Sequence, residues 1–478
     1  MKHLTFIITV ITLSLFSLNS FSESIKKEVV EKAAQSFISA HNSKQIIKSI
    51  DLISIDNQDI LYMVQLEPCG YIVFSSDSDL PPIIAYSFTN NLDNEGPFYS
   101  LLKTDIQLRK NSLSELPATI IIERNKLWLD LIKGKTREKS FEQWPEEGTT
   151  PTGGWLESNW TQTAPYYNMC PMDPVTSIRS YVGCPATAMA MILNFHQNIN
   201  ETVFTDEDDY YHSYAGRTYN IDDDYETIGF PSFVDLNKYL DTLQTHWLEE
   251  TPLTNNDKAA LSFACGIAAH QVYTSEGSGT FAVSQARDAY LRFACADIIL
   301  YEETDEGLFP DLIQDMKDTC PAHLALVDEG WTTGHNVVVD GYNTDNYFHV
   351  NFGWGGTNNG WYLLPDEMPY SLTVIEGLIV NILKDEAVFT ETQINDNFFS
   401  VYPNPAQNTI HILADPNNSD NCNKIEIYNI SGQLVKTYPF IPKMSINTED
   451  FGGNGLYFLH IIDKNNNSFY SSKVIVRK

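Results

Sequence analysis

The stretch Tyr181–His196, reading Tyr-Val-Gly-Cys-Pro-Ala-Thr-Ala-Met-Ala-Met-Ile-Leu-Asn-Phe-His, constrains this chain more than any other. Gly183-Cys184-Pro185 reads as a turn that delivers a cysteine into the first turn of a helix, where proline is tolerated and its fixed φ suits a helix start. Ala186, Ala188 and Ala190 allow close packing against a neighbour, while Met189, Ile192, Leu193 and His196 recur at helical spacing. A sulfur at the positive end of a helix dipole favours thiolate over thiol, which is how a protein prepares a sulfur nucleophile. The helix by itself leaves a plainer alternative open, a small cysteine packed in a core.

The rest of the chain supplies the setting. Its 478 residues exceed one ordinary domain, and a hydrophobic content of 43% with 12% aromatic residues is ample for packed cores. A net charge of −32 argues against nucleic acid and anionic membrane surfaces as partners, because both demand positive potential. Met1–Ser22 has a basic start at Lys2 and His3, an apolar run from Leu4 to Leu18, and small residues before a cut after Ser22, so it reads as a secretory signal. Nothing later approaches the roughly 18 consecutive apolar residues of a membrane helix. Seven scattered cysteines, Cys69, Cys170, Cys184, Cys265, Cys295, Cys320 and Cys422, form no Cys-x-x-Cys pair, so neither a zinc site nor a disulfide scaffold is indicated. A bridge such as Cys265 to Cys295 cannot be read from the sequence.

Four regions follow the signal in order. Glu23–Asn42 patterns as an amphipathic helix; Ile60–Leu66 and Tyr71–Ser75, joined at Pro68-Cys69-Gly70, pattern as a hairpin; a strand ends at Ser87; and Leu101–Leu108 and Ile120–Ile132 read as helices. This is a small α+β unit. Lys133–Thr152 turns basic and then rich in Pro, Gly and Thr, the composition of an exposed linker open to proteolysis. The largest unit then begins near Trp155. It carries an acidic segment (Asp206–Asp209, Asp222–Asp224) that lacks the spacing of a calcium loop and reads as solvated. Helices follow at Leu261–Val272 and Ala282–Ala294 around the loop Ser275–Thr280, then strands at Ala322–Val327, Asn336–Tyr342, Tyr347–Asn351 and Gly360–Leu364. From Phe389 the chain is Asn-rich with short strands between turns, the pattern of a small β-sandwich.

A reactive thiol needs a base and something to orient that base. His335 stands where Thr332-Thr333-Gly334 enters the strong strand Asn336–Tyr342, a rigid mount, although a histidine at a strand edge is also ordinary. The next strand ends in His349-Val350-Asn351-Phe352-Gly353-Trp354-Gly355-Gly356. Asn351 there offers an amide to accept an imidazole N–H, and Trp354 a ring to shield that bond. Upstream, Gln162 in Trp160–Asn168 offers a side-chain amide that, with the backbone N–H of Cys184, suits an oxyanion.

Four motifs in order, Trp-x-Gln-x-x-Pro-Tyr-x-Asn at Trp160–Asn168, Gly-Cys-x-Ala-x-Ala-Met-x-Ile-Leu from Gly183, Gly334-His335 with Val-Val-Val-Asp-Gly, and His-Val-Asn-x-Gly-Trp-Gly-Gly at His349–Gly356, resemble the streptopain family of papain-like cysteine peptidases. The resemblance implies Cys184 as nucleophile, His335 as general base, Asn351 as its orienting residue, Gln162 as oxyanion donor and Trp354 as shield. It also implies Ser278, in Gly277-Ser278-Gly279, and Gly334 beside the substrate. Phe352 stands where members such as streptopain have Trp, which predicts altered packing or a lower rate. Glu23 to about Glu147 resembles the family's inhibitory pro-domain. Val401–Pro405, Ile427–Gly432, Gly455–Phe458 and the closing Lys-Val-Ile-Val-Arg-Lys resemble the sorting domain of the type IX secretion system of Bacteroidetes.

The expected architecture is therefore α+β: a signal peptide (1–22), a pro-domain (23–147), a papain-like peptidase domain (148–385) and a β-sandwich sorting domain (386–478). The expected activity is a secreted cysteine endopeptidase made as a zymogen, needing no cofactor. Its partners would be protein or peptide substrates, its own pro-domain and the secretion machinery. An acyltransferase or transglutaminase on the same triad, or a non-catalytic surface adhesin, remain alternatives at the level of sequence.

Overall fold

The apolar runs Ala322–Val327 and Val337–Val339 lie in neighbouring antiparallel strands whose side chains alternate between two cores. Ala325 and Val338 face one, and Leu324, Leu326, Val337 and Val339 face the other. A pleated strand dictates that period of two, and a strand buried on both faces belongs in the middle of a layered structure. The structure is a computed structural model that describes residues 24–134, 141–214, 217–221, 225–295, 297–302, 305, 307–327, 334–364, 375–382, 399–402, 406–414, 422–429, 434–453, 455–464 and 468–476. Contacts divide the chain into two units, Met1–Lys384 and Asp385–Lys478. The expected signal peptide, the acidic residues Asp222–Asp224 and the expected boundary near 385 lie outside the described residues.

Numbered along the chain, the first unit begins with α1 (Lys27–Ala40), β1 (Ile46–Ile55), β2 (Gln58–Glu67), β3 (Tyr71–Ser75), β4 (Ile83–Ser87), α2 (Pro97–Asn111), α3 (Ala118–Ile132) and β5 (Gln143–Trp144). It continues with α4 (Cys184–His196), β6 (Tyr210–Tyr214), β7 (Arg217–Ile221), α5 (Tyr225–Ile228), α6 (Phe233–Leu248), α7 (Asn255–Ala268), α8 (Val283–Arg292), β8 (Ile299–Glu302), α9 (Leu308–Lys317), β9 (Ala322–Val327), β10 (Gly334–Asn343), β11 (Tyr347–Asn351), β12 (Gly360–Leu363) and β13 (Ile375–Val380). The hairpin expected around Pro68-Cys69-Gly70 is β2 with β3, while β1, α6, α9 and β13 were not anticipated by the sequence reading.

One sheet runs through the unit in the order β1-β2-β3-β4-β12-β11-β10-β9-β13-β8, with β5 on β10. The N-terminal strands are thus joined to the later ones by β4 on β12, where Ala85 opposes Tyr362 and Tyr86 opposes Trp361. Three cores follow from its faces. Helices α4, α6, α7 and α8 pack on one face of the C-terminal strands, α2 and α9 contribute to the core on the other, and α1 and α3 cover β1–β4 together with Trp361.

The linker expectation needs correction. In the described part the exposed runs are Lys133–Gly134 and Glu146–Thr149; Trp144 pairs with Tyr342, and Thr152 and Gly154 are buried. A Cβ on Gly154 would stand only 2.3 Å from Asp340 Oδ2 and from His349 Nδ1. The glycine there answers to close packing on a buried Asp340–His349 pair (2.6 Å) rather than to flexibility.

The second unit has β14 (Phe399–Tyr402), β15 (Thr409–Ala414), β16 (Cys422–Asn429), β17 (Leu434–Pro439), β18 (Lys443–Asn447), β19 (Gly455–Asp463) and β20 (Ser468–Val476). They form two sheets, β14-β15-β18 and β17-β16-β19-β20, around Ile410, Ile412, Ile425, Ile427, Leu459 and Ile461. Alternating apolar residues on short strands produce this sandwich, as the sequence pattern predicts.

Candidate active site

Cys184 is the first residue of α4, with Pro185 behind it, and the whole run Pro185–Leu193 is buried. A helix with no solvent face serves as a rigid central post, which is why its small residues outnumber polar ones. The turn that feeds it is set by Gly183, whose φ of +88° is a left-handed conformation that glycine adopts without strain. A Cβ at that position would also stand 2.8 Å from the Ser278 carbonyl oxygen, so the 277–279 loop lies directly against the approach to Cys184. Within that loop the Ser278 hydroxyl is turned back onto Thr274, accepting from its N–H at 3.0 Å. Gln162 is brought to the same place by its backbone: its carbonyl accepts from Val182 N–H at 3.1 Å, two residues before Cys184.

His335 is the second residue of β10, opposite Leu326 of β9, and is 5% exposed; exposed Gly334 opens the strand beside it. Its Nε2–H donates to the Phe352 carbonyl at 2.9 Å, which leaves Nδ1 as the lone-pair nitrogen of the neutral ring. Trp354 stacks on the imidazole with centroids 4.2 Å apart and planes inclined by 24°, and Phe352 lies parallel to it at 6.0 Å. The aromatic shield expected at Trp354 is therefore in contact with His335, and Phe352 adds a second ring.

Asn351 differs from the expectation. Its Oδ1 accepts from Gly353 N–H at 3.1 Å and its Nδ2 donates to the Ser158 carbonyl at 3.2 Å, while the imidazole N–H goes to the carbonyl of the next residue. The physical reason is the tight turn after β11. Gly353, at φ +67°, brings the backbone so close to α4 that a Cβ would stand 2.8 Å from Thr187 Cγ2. Asn351 closes that turn, and Asn359 holds Phe352 N–H at 2.9 Å, so the Phe352 carbonyl is fixed where it meets the ring.

Electrostatics also depart from the helix-dipole expectation for the sulfur. Burial pushes the Cys184 thiol up, against hydrogen bonds from the backbone and side chain of Asn336 and from its own backbone that pull it down, with the Glu376 charge adding to the rise. Burial likewise pushes His335 down to about 4, opposed by its bond to Phe352 and assisted by His323. Desolvation works against the helix dipole at this part-buried sulfur.

Three residues at the site escaped the sequence reading. Asn336, next to His335, points Nδ2 at Cys184 Sγ from 3.9 Å; His323 of β9 and Tyr290 of α8 stand behind it. The available signals were a polar residue just ahead of the apolar run of β10 and a lone histidine in the apolar strand Ala322–Val327. Each alone reads as a strand residue with a satisfied side chain. None of the seven cysteines is in a disulfide, Cys265 and Cys295 included. Asp208, in the acidic segment, is engaged by Arg292 Nε at 2.7 Å.

A cysteine opening a buried helix, packed on a strand that carries a ring-shielded histidine, is the arrangement expected of a papain-like cysteine peptidase. Residues 160–362 match the Peptidase C10 family, 22–103 the Spi protease inhibitor family and 400–477 the secretion system C-terminal sorting domain. The chain carries a streptopain-like peptidase domain of the C10 family, preceded by an inhibitor-type pro-region and followed by a type IX secretion sorting domain. Among curated relatives, the thiol protease/hemagglutinin PrtT of Porphyromonas gingivalis is 27% identical over 225 residues, which cover 45% of this chain and 24% of that protein. Streptopain of Streptococcus pyogenes is 24% identical over 332 residues, 65% of this chain and 75% of that protein. The chain thus spans about a quarter of the length of PrtT and three quarters of streptopain. Among solved structures, a fragment of Prevotella intermedia prointerpain A is 20% identical with a TM-score of 0.47, covering 70% of this chain and 98% of that one. Active interpain A from the same organism is 23% identical with a TM-score of 0.35, covering 48% and 92%. Among the described residues no helix is long and apolar enough to cross a membrane.

Proposed function

We propose that this protein is a secreted cysteine endopeptidase made as a zymogen, with Cys184 as nucleophile and His335 as general base. The observation that carries the reading is Cys184 at the start of α4, a helix packed on β10, the strand whose His335 has Nε2 already committed to a carbonyl and Nδ1 left to accept a proton. The thiol proton passes to His335 Nδ1, and Sγ attacks the scissile carbonyl carbon as the C–S bond forms. The Cys184 N–H and the Gln162 amide stabilise the oxyanion. The imidazolium then donates its proton to the leaving amine as the C–N bond breaks, giving a thioester. Water, deprotonated by His335, attacks that thioester, and the acid leaves as the sulfur recovers its proton. Asn351 serves by closing the turn that carries Phe352 and Trp354. Ser278 and Gly334 border the substrate on either side of the sulfur.

Latency is supported by the N-terminal segment's grip on the turn after Trp354. Asn91 O accepts from Asn358 N–H at 2.9 Å, Asp93 N–H donates to Asn358 Oδ1 at 2.6 Å, and Tyr71 OH donates to the Asn358 carbonyl at 3.0 Å. Covalent attachment gives that grip an effective concentration near millimolar, which cutting removes. The exposed Glu146–Thr149 stretch is the proposed cutting place. The pro-region, protein or peptide substrates and the type IX machinery are the partners this reading requires.

The test is hydrolysis of a fluorogenic peptide by precursor and linker-cleaved forms of the wild type and of Cys184→Ala. The cleaved wild type should be active, the precursor nearly silent, and Cys184→Ala inert and uncut. Hydrolysis by Cys184→Ala within a few fold of wild type would end the peptidase reading, and a competing amine captured in preference to water would move it to acyl transfer.

A further inference from the structure

Behind the sulfur runs a chain of three side chains that the peptidase reading does not use. Asn336 Nδ2 lies 3.9 Å from Cys184 Sγ, Asn336 Oδ1 lies 2.7 Å from His323 Nε2, and His323 Nδ1 lies 3.1 Å from the Tyr290 hydroxyl. His323 and Tyr290 are both fully buried. Their strands and helix explain the alignment: Asn336 opposes Ala325 and Val338 opposes His323 across β9 and β10, so all four side chains point to the face that α4 and α8 cover.

The two ends of a side-chain amide do opposite things, so what binds the far end decides which end meets the sulfur. An amide oxygen only accepts, and His323 Nε2–H is its donor. A neutral imidazole that donates from Nε2 has a bare Nδ1, and the Tyr290 O–H fills it. Burial keeps the ring neutral, since it pushes His323 down to about 4. The reversed amide would put a carbonyl oxygen against a forming thiolate, two negative centres in a dry site.

We propose that Tyr290 and His323 are positioning residues that lock the Asn336 amide with its N–H on Cys184 Sγ, and that Asn336 thereby stabilises the thiolate in this peptidase. The proposal rests on Cys184 being the nucleophile. No bond is made or broken in it. The amide donates as the sulfur loses its proton to His335, and the Asn336 backbone N–H acts beside it. The other titratable groups are Glu376 on β13, whose charge opposes thiolate formation, and His335, the neighbour of Asn336 on β10.

The experiment is the pH dependence of iodoacetamide alkylation at Cys184 in the full chain, read by peptide mapping because the chain has seven cysteines. It needs no catalysis, so it stays readable even if Cys184→Ala were to leave hydrolysis intact and sink the peptidase reading. Asn336→Ala should move the midpoint up by about one pH unit, the size of one hydrogen bond to a charged group. Tyr290→Phe and His323→Phe should move it the same way although neither touches the sulfur. In the Asn336→Ala background both should do nothing further, because they act through the amide. Asn336→Asp should move the midpoint further up than Asn336→Ala. An unchanged profile in folded Asn336→Ala, or additive shifts in the double variants, overturns the proposal. If His323→Phe does not fold, the Tyr290→Phe and Asn336→Ala pair decides it alone.

Discussion

A buried histidine that stays neutral ties stability to pH, and this chain has two, on β9 and β10. His323 and His335 are both held at about 4 when folded, against 6.5 for the free side chain. A base whose folded value is depressed binds fewer protons in the native state, so its contribution is fully present above 6.5 and is lost as pH falls toward 4. Each histidine should add about 1.4 kcal/mol per pH unit to the slope of unfolding free energy near pH 5. Denaturant titrations of the Cys184→Ala precursor at pH 7, 6 and 5 should show that slope, and His323→Gln should remove about half of the part the two histidines supply. A slope unchanged by the substitution would mean that His323 is already protonated in the native protein.

Among the elements, the seam of β4 on β12 has most at stake. Tyr86 lies parallel to Trp361 at 6.4 Å, and Trp361 is packed in the core that α1 and α3 build over β1–β4. Removing a buried indole leaves a cavity, so Trp361→Ala should cost the precursor about 3–5 kcal/mol. The same change should loosen inhibition, because β12 follows directly on the Asn358 turn that the N-terminal segment grips. Denaturation midpoints of the Cys184→Ala precursor and residual hydrolysis by the otherwise wild-type precursor check both parts. A stability loss with latency fully kept would show that the Asn358 grip alone silences the enzyme.

For the whole molecule, the sandwich of residues 399–476 has its own apolar core, and the described strands of the first unit pair only among themselves. Deleting Phe389 onward should therefore leave a folded peptidase that is no longer exported. Fractionation of the producing cell with a peptide assay on each fraction measures this. Normal export of the shortened chain would refute a sorting role, and loss of the folded peptidase would show that the two units depend on each other.

The sequence by itself determined the local elements whose causes lie within a few residues: the glycine and proline that start α4, the turn at Pro68–Gly70, the alternation in β9–β11 and the short strands of the sandwich. It also carried the motif residues Gln162, Cys184, His335, Asn351 and Trp354, because their spacing is a linear property. Tertiary structure decided everything that depends on what meets across the chain. It joined β4 to β12 over a separation no local pattern encodes, and it buried Gly154 against Asp340 and His349 where composition alone indicated an open linker. It gave the imidazole N–H to the Phe352 carbonyl rather than to the Asn351 amide, and raised a thiol that a helix dipole alone would lower. It also aligned Tyr290, His323 and Asn336 behind the sulfur. The reason is the same throughout: propensity and period act between near neighbours, whereas desolvation and hydrogen-bond partnership depend on which distant residues the packing brings together.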